Sequence, residues 1–157
     1  MSFQHTTGFT VEFGDCDPLR IVFYPNFFRW MDAAFRQFFV AAGVPSWYET
    51  ERTDGIFGAP LVDASARFLK PATFGDRIAV DTGVAEWRGR SFVVAHVIRR
   101  ADEVLVEGRE VRILACRHPD DPARIRAAAG PPRARRPPRR TPTRRPPRDS
   151  RACARAP

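Results

Sequence analysis

The chain has 157 residues, a length that predicts one domain with a hydrophobic core, and a formal net charge of +8. The excess charge is confined to residues 131–157, which carry a net +9, so the rest of the chain is nearly neutral at −1. The overall basicity therefore does not indicate a nucleic-acid-binding body. The three cysteines lie far apart, which excludes a disulfide framework or a cysteine metal motif and fits a cytoplasmic protein. We expect no signal peptide and no membrane span.

The most informative stretch is a loop between a predicted strand and a predicted helix. Residues 9–13 alternate apolar and polar, which predicts a half-buried strand ending near Phe13. The loop that follows contains Asp15 and Asp17 and ends at Asn26, a residue type that caps helices. An acid group there would lie beside helix N–H groups that stabilise developing negative charge. The alternative is an ordinary turn, because Asp-Pro beside Gly is common turn chemistry.

The helix is predicted over residues 27–42, with Gly43 as its stop. Its charged residues form one narrow stripe, and large apolar side chains occupy the other faces. The stripe consists of Arg29, Asp32 and Arg36. A helix this apolar is expected to be buried on most sides.

The remaining elements follow in order. A short helix is predicted over residues 45–53, begun by Pro45 or Ser46 and ended by Asp54-Gly55. Four strands are predicted next, and Gly108 in the last one indicates a bulge or a close backbone approach. The strands are residues 61–69, 76–86, 91–99 and 104–114. Their short connections predict antiparallel neighbours, and one long helix before consecutive hairpins predicts an α+β fold.

The sequence resembles the family of 4-hydroxybenzoyl-CoA thioesterases. The resemblance rests on the run GDCDPLRIVFYPNFFRWMDAA, on Trp47 and on the run WRGRSF at residues 87–92, and it covers roughly residues 7–126. It implies a hot-dog fold, in which an antiparallel sheet wraps around one long central helix. It also implies an enzyme that hydrolyses an acyl-CoA, with an aromatic acyl group such as 4-hydroxybenzoyl, and that works as a homodimer or homotetramer. No metal and no separate cofactor are expected.

The resemblance also implies the catalytic residues. Asp17 would either attack the thioester or activate water, and backbone N–H groups around Phe23 and Tyr24 would form the oxyanion hole. One such donor typically contributes about 3 kcal/mol to lowering the barrier. Asp15 is expected to be structural. Arg20 departs from the glycine often found there, and because arginine adopts a positive φ at a higher cost, a different loop geometry is expected.

Asp32 matches a position that contacts the ring hydroxyl of the substrate in the resembled aromatic thioesterases. The competing interpretation is that Asp32 pairs with Arg29 and Arg36 on a solvated stripe. Trp47 is either a packing residue or a substrate contact.

Arg88 and Arg90 flank a glycine in a strand connection, where two cations are usually only solvated. The resemblance makes them, with the neighbouring Ser91, candidates for binding the phosphates of CoA, which guanidinium groups suit well.

We expect a hot-dog domain over residues 1–129 and a disordered Arg/Pro-rich tail over residues 130–157. The tail is either an out-of-frame reading of GC-rich DNA or an electrostatic arm for nucleic acid. Two alternatives to the aromatic thioesterase remain. One is a thioesterase for aliphatic acyl-CoA or acyl-carrier-protein substrates, and the other is a non-catalytic hot-dog binding protein with a nucleic-acid-binding tail.

Overall fold

The computed structural model describes residues 4–128, and the predicted tail lies outside the described residues. The described part consists of one long helix, one short helix and eight strands. The strands are β1 (Gln4–Thr10), β2 (Ile56–Gly58), β3 (Leu61–Phe68), β4 (Arg77–Trp87), β5 (Phe92–Arg100), β6 (Glu103–Arg112), β7 (Ala115–Arg117) and β8 (Ile125–Ala127). The helices are α1 (Pro25–Ala41) and α2 (Trp47–Asp54).

The main sheet has five strands in the order β1-β4-β5-β6-β3, and every neighbouring pair is antiparallel. The four predicted strands after the helices are present, each within about two residues of its predicted ends, and β4, β5 and β6 form the predicted consecutive hairpins. The first strand ends earlier than predicted, at Thr10, because Phe13–Asp15 turns into a short 3-10 helix.

Helix α1 packs against this sheet through one side. The buried side chains of that side are Phe27, Trp30, Met31, Ala34, Phe35, Phe38 and Phe39. The predicted polar stripe is exposed, but so is Val40, so the burial is narrower than the composition predicts. A sheet that wraps one long helix confirms the predicted α+β, hot-dog architecture.

Gly108 marks a close approach rather than a bulge. It pairs with His96 and Ala66 in regular register within the sheet. A Cβ at this position would collide with the Met31 side chain of α1, which is itself fully buried. The glycine therefore lets the helix approach the sheet closely.

The ends of the helices follow their local sequence. Ser46 caps α2 by accepting a hydrogen bond from the Glu49 N–H, and Gly55 ends it with a positive φ of 70°. Gly43, with a φ of 76°, follows the last residues of α1. These stops were predicted correctly because capping depends on nearby residues alone.

A second, three-stranded sheet in the order β2-β7-β8 was not predicted. Each of its strands has three residues, which is too short to show alternation. This sheet closes the C-terminal end of α1, where Phe35, Phe38 and Phe39 form a second core cluster with Ile56 and Leu114.

Among residues 4–128, no helix combines the length and apolarity that crossing a membrane requires.

Candidate active site

A short hairpin between β1 and α1 carries Asp17. Cys16 and Val22 pair across it, and the Asp17 N–H donates to the Ile21 carbonyl at 2.9 Å. Ile21 also pairs with Thr73, which attaches the hairpin to the turn before β4. Asp17 therefore lies beside the segment that leads directly into α1.

The tip of this hairpin contains a strained arginine. Arg20 has a φ of 64°, and its N–H donates to the Asp17 carbonyl at 2.8 Å. A different loop geometry is expected where arginine replaces glycine, but Arg20 takes the positive φ itself. That conformation costs a non-glycine residue about 1–2 kcal/mol. Strain of this kind is often found at functional sites.

The Asp17 side chain is half-buried, and only one of its two carboxylate oxygens accepts a hydrogen bond from the described residues. Its Oδ1 accepts a hydrogen bond from the Leu19 N–H at 2.8 Å. Within residues 4–128 no other hydrogen bond and no ion pair to this carboxylate is found. One carboxylate oxygen therefore remains available to a water molecule or a substrate.

Asp15 has the opposite environment. It is 7% exposed, and both of its carboxylate oxygens are occupied. Oδ2 accepts from the Glu12 N–H at 2.9 Å, and Oδ1 accepts from the Arg29 guanidinium at 2.5 Å. Its side chain ties the loop to α1 and is not free to react.

The start of α1 differs from the prediction. Tyr24 is the N-terminal cap residue and Pro25 is the first helical residue, so the prediction that Asn26 caps the helix is wrong. Proline begins a helix well because its fixed φ is already helical. The Asn26 side chain instead donates to the Asp15 carbonyl at 2.8 Å.

Only one of the two predicted oxyanion-hole amides is free. The Phe23 N–H, which the resemblance assigns to the oxyanion hole, donates to the Asp15 carbonyl at 2.9 Å and is therefore occupied. The Tyr24 N–H has no hydrogen-bond partner within the described part of the chain. This free donor lies at the positive end of the helix dipole, where an oxyanion is stabilised.

An apolar cleft of about 370 Å³ opens beside this junction. Its walls come from the hairpin, the start of α1 and the end of β3. The lining residues are Ile21, Val22, Tyr24, Phe27, Phe68, Leu69, Lys70, Pro71 and Ala72. The Phe68 ring lies 5.7 Å from that of Phe27 and 6.4 Å from that of Tyr24, centroid to centroid. The cleft therefore offers an aromatic surface next to the free amide.

Asp32 pairs with a residue that the sequence did not suggest. Its Oδ1 accepts from the Arg112 guanidinium at 2.7 Å, while 69% of its side chain stays exposed. Arg29 pairs with Asp15 instead, so the predicted pairing of Asp32 with Arg29 is wrong. Arg112 lies 80 positions away on β6, and such a partner cannot be read from helical spacing.

Arg112 belongs to a buried charge cluster that also contains Glu110 and His96. Arg112 Nε donates to Glu110 Oε2 at 2.8 Å, and His96 Nε2 lies 3.3 Å from the same oxygen. Burial alone would raise the pKa of Glu110, but His96 and Arg112 outweigh it and hold that pKa below the usual value. Burial likewise opposes the charge on Arg112, while Glu110 and Asp32 raise the pKa of its guanidinium. Glu110 and Arg112 therefore form a buried ion pair, while the buried His96 Nε2 has no hydrogen-bond partner among the described residues.

The predicted CoA-binding residues lie in the turn between β4 and β5. The Arg88 N–H donates to the Ser91 carbonyl at 2.8 Å, and the Arg88 side chain pairs with Glu86. Arg90 lines a cleft of about 520 Å³ that also contains Arg117 and Arg126. Glu51 and Asp54 line the same cleft, and Glu51 pairs with Arg117, so the guanidinium groups of Arg90 and Arg126 are the ones available to a phosphorylated ligand.

Trp47 packs into the core. Its ring lies 5.6 Å from that of Phe39, centroid to centroid, and it joins the second core cluster. This position supports the packing interpretation over a direct substrate contact.

The hairpin that carries Asp17 thus leads directly into Tyr24, while Asp17 itself is not among the residues that line the apolar cleft. The turn residues Arg88 and Arg90 form a separate group. The sequence pattern did not predict that Phe68 lines the apolar cleft or that Arg126 lines the larger one. Phe68 gave a weak signal, since a large aromatic residue closes a strand just before Lys70-Pro71. Arg126 gave none, because its strand is too short to predict.

Three comparisons bear on this geometry. The family model described as the thioesterase-like superfamily matches residues 11–130. The 4-hydroxybenzoyl-CoA thioesterase of Pseudomonas sp. (strain CBS-3) is 38% identical over 122 residues, which cover 74% of this chain and 84% of the relative.

Solved structures of thioesterases are also similar to this chain. A mutant of 4-hydroxybenzoyl CoA thioesterase, with an aspartate replaced by asparagine and complexed with 4-hydroxybenzoyl CoA, matches with a TM-score of 0.74 and 36% identity, covering 82% of this chain and 93% of that one. A gentisyl-coenzyme A thioesterase matches with a TM-score of 0.68 and 31% identity, covering 81% of this chain and 96% of that one.

Proposed function

Because the chain belongs to the thioesterase-like superfamily and is an acyl-CoA thioesterase homologous to 4-hydroxybenzoyl-CoA thioesterase, we propose that it hydrolyses an aromatic acyl-CoA with Asp17 as the reacting carboxylate. The observation that carries the proposal is the aromatic-lined cleft beside the Tyr24 N–H and the Asp17 hairpin. A flat acyl ring fits between aromatic side chains, and the thioester carbonyl would then lie at the free amide. The relatives' substrates, 4-hydroxybenzoyl CoA and gentisyl-coenzyme A, are both aromatic.

The chemistry requires a carboxylate near the carbonyl carbon and a donor near the carbonyl oxygen. The Asp17 carboxylate either attacks the carbon to form an acyl anhydride, which water then hydrolyses, or removes a proton from the attacking water. In both cases the negative charge moves to the carbonyl oxygen, and the Tyr24 N–H stabilises it. On the nucleophilic route the carbon–sulfur bond breaks as the anhydride forms, and on the general-base route it breaks after water has added. The CoA thiolate takes a proton from solvent in the first case and from the protonated Asp17 in the second, and the products are the free acid and the CoA thiol.

Asp17 is favoured over Asp15 because of the state of the two carboxylates. Asp15 is buried with both oxygens occupied, whereas Asp17 is half-buried with one oxygen available. A general base or nucleophile must be able to reach its target.

The other substrate contacts follow from the hydrogen-bonding and charge properties of the remaining polar side chains. Asp32, held at one oxygen by Arg112, would accept a hydrogen bond from a ring hydroxyl. Arg90, with Arg88 and Ser91 in the same turn, would bind CoA phosphates, and the 520 Å³ cleft gives the phosphates a place to bind. Arg88 would have to exchange its ion pair with Glu86 for the ligand.

We further propose that the active form is a homodimer or homotetramer in the cytoplasm. Strand β3 is one of the two edges of the main sheet and exposes apolar side chains there, including Leu61 and Val62. An apolar edge strand is a natural surface for pairing with a second copy. Cys16 and Cys116 are free, which fits a reducing compartment. Sedimentation of the purified chain tests the assembly, and a monomer at assay concentration would contradict it.

A panel of acyl-CoA substrates, assayed by release of free thiol, tests the substrate assignment. We expect the highest kcat/KM for hydroxylated benzoyl groups, lower values for unsubstituted benzoyl, and the lowest for long aliphatic chains. Phe68→Ala should lower kcat/KM for aromatic substrates, while Phe74→Ala, an exposed phenylalanine outside the cleft lining, serves as the matched control. A preference for long aliphatic acyl-CoA or for acyl-carrier-protein substrates would contradict the aromatic assignment.

The Arg/Pro-rich segment supports one further candidate role. Its net charge of +9 over residues 131–157 is the specific feature that favours nucleic-acid binding. We propose a domain boundary at Ala129 and compare the full chain with a version ending there. Salt-dependent binding of DNA or RNA by the full chain alone supports this role, and equal binding by both versions contradicts it.

A further inference from the structure

Asp15 connects three parts of the candidate site through its main chain and its side chain. Its carbonyl oxygen accepts two hydrogen bonds, from the Phe23 N–H at 2.9 Å and from the Asn26 side chain at 2.8 Å. Phe23 lies at the end of the Asp17 hairpin, and Asn26 lies in the first turn of α1. One oxygen thus holds the exit of the hairpin and the start of the helix together.

The carboxylate adds two further connections. Glu12, before the 3-10 turn, donates its N–H to Oδ2, and Arg29, one turn into α1, donates to Oδ1. The Asp15 side chain is nearly buried while the Arg29 side chain is 64% exposed. A buried carboxylate satisfied at both oxygens keeps its backbone in one conformation, because any movement leaves a buried charge unpaired.

These contacts occupy one of two neighbouring amides. The Asp15 carbonyl occupies the Phe23 N–H, whereas the next amide along the chain, that of Tyr24, has no hydrogen-bond partner among residues 4–128. Asp17 lies two residues after Asp15, so the same connections fix where its carboxylate lies relative to that amide. We infer that Asp15 is a positioning residue, which holds the Asp17 carboxylate and the Tyr24 N–H in the geometry that the reaction needs. The inference rests on the proposed role of Asp17.

The test is Asp15→Asn in the full-length protein. Asparagine keeps the size and an oxygen for the Glu12 N–H but removes the charge that faces Arg29. We expect kcat to fall about tenfold with KM within about twofold, because misplaced reacting groups slow chemistry more than binding. Arg29→Gln should reproduce the loss, and Arg29→Lys, which keeps the positive charge, should restore most of the activity.

A double-mutant cycle separates positioning from direct chemistry. In an Asp17→Asn background, Asp15→Asn should cost less than about twofold in kcat, because the group that it positions is already gone. The pH at which kcat/KM declines on the acid side should be the same in Asp15→Asn and in the wild type. Independent, multiplicative losses, or disappearance of the acid limb in Asp15→Asn, would overturn the inference.

Two control variants separate a loss of activity from a loss of folding. Asp81→Asn removes a β4–β5 ion pair with Arg99 and should lower the unfolding midpoint while leaving kcat unchanged. If Asp15→Asn does not fold, Asn26→Ala removes only the helix-side contact and should lower kcat in the same direction; an unchanged kcat there overturns the inference. If Asp17→Asn keeps wild-type activity, the proposed function itself fails. If Asp17→Asn is inactive while Asp15→Asn turns over normally, only the positioning role fails.

Discussion

The buried charge cluster of the sheet and the Asp17 hairpin both hold ionisable groups in protected positions, but they differ in how completely those groups are paired. In the cluster, the Arg112 guanidinium donates to Glu110, to Asp32 and to the Ala59 carbonyl, and it packs 4.1 Å from the centre of the Phe35 ring. In the hairpin, Asp17 keeps one carboxylate oxygen and Tyr24 keeps one N–H without a partner in the described chain.

The comparison separates structural from chemical roles. The cluster contains Glu110 with a lowered pKa and Arg112 with a raised one, a perturbation that often accompanies active sites. Glu110 and Arg112 are nevertheless paired with each other and buried, so neither can take part in a reaction without disrupting the core. A hydrogen-bond donor or acceptor that has no partner and lies beside a cleft is therefore the better guide to function in this protein.

Arg112→Met should produce the largest loss of stability. It leaves Glu110 buried beside His96 without its main counter-charge, and breaking such a pair costs about 3–5 kcal/mol. The free energy of unfolding, measured by urea titration, checks this. Arg109→Met on the same strand is the matched control, because Arg109 and Asp63 form a longer, exposed pair and the change should cost under about 1 kcal/mol. Equal losses for the two variants would contradict the structural role of the cluster.

Stability should also depend on pH through Glu110. The pKa of its carboxyl is lower in the folded than in the unfolded chain, so the unfolded state binds protons more readily. The contribution to stability is therefore fully present above the unfolded value, near 4.5, and is lost as the pH falls through the lower folded pKa. Unfolding midpoints measured across this range should fall more steeply for the wild type than for Glu110→Gln. A parallel decline in both proteins would show that other carboxyls, such as those of Asp76 and Asp81, dominate.

The smallest effect concerns the strained hairpin tip. Arg20→Gly relieves a positive φ worth about 1–2 kcal/mol but adds about 0.5–1 kcal/mol of chain freedom to the unfolded state, so a net gain of roughly 0.5–1 kcal/mol is expected. Ala101→Gly is the matched control, because Ala101 has a φ of 50° in the turn between β5 and β6. Both variants should raise the melting temperature similarly, and Arg20→Gly should keep kcat within about twofold, because glycine adopts the same positive φ without strain. A lower melting temperature in Arg20→Gly, or a large loss of kcat, would contradict the assignment of backbone strain to this residue.

Local sequence predicted much of the fold for identifiable reasons. Ser46 and Gly55 delimit α2 through contacts within a few residues, and the alternation in β4, β5 and β6 reflects one covered face. The three-residue strands of the second sheet carry no periodic signal, since their pairing depends on partners such as Ile56 and Cys116 that are far apart in sequence.

The candidate site was predicted less completely. Asp17 and Tyr24 stand in a recognisable run of residues, whereas the occupation of the Phe23 amide depends on how the hairpin folds back on Asp15. The partner of Asp32 lies on another strand, and the aromatic cleft needs β3 and α1 side by side. Such contacts arise from tertiary packing, which the spacing of residues along the chain does not contain.

The most direct test of the account is thiol release by the purified wild type and by Asp17→Asn, with unfolding midpoints measured on the same samples. Asparagine keeps the shape of the side chain but removes its charge. The account predicts that kcat falls on the order of 10²-fold or more while the midpoint stays unchanged. Wild-type turnover by Asp17→Asn, or an activity loss that merely follows unfolding, would contradict it.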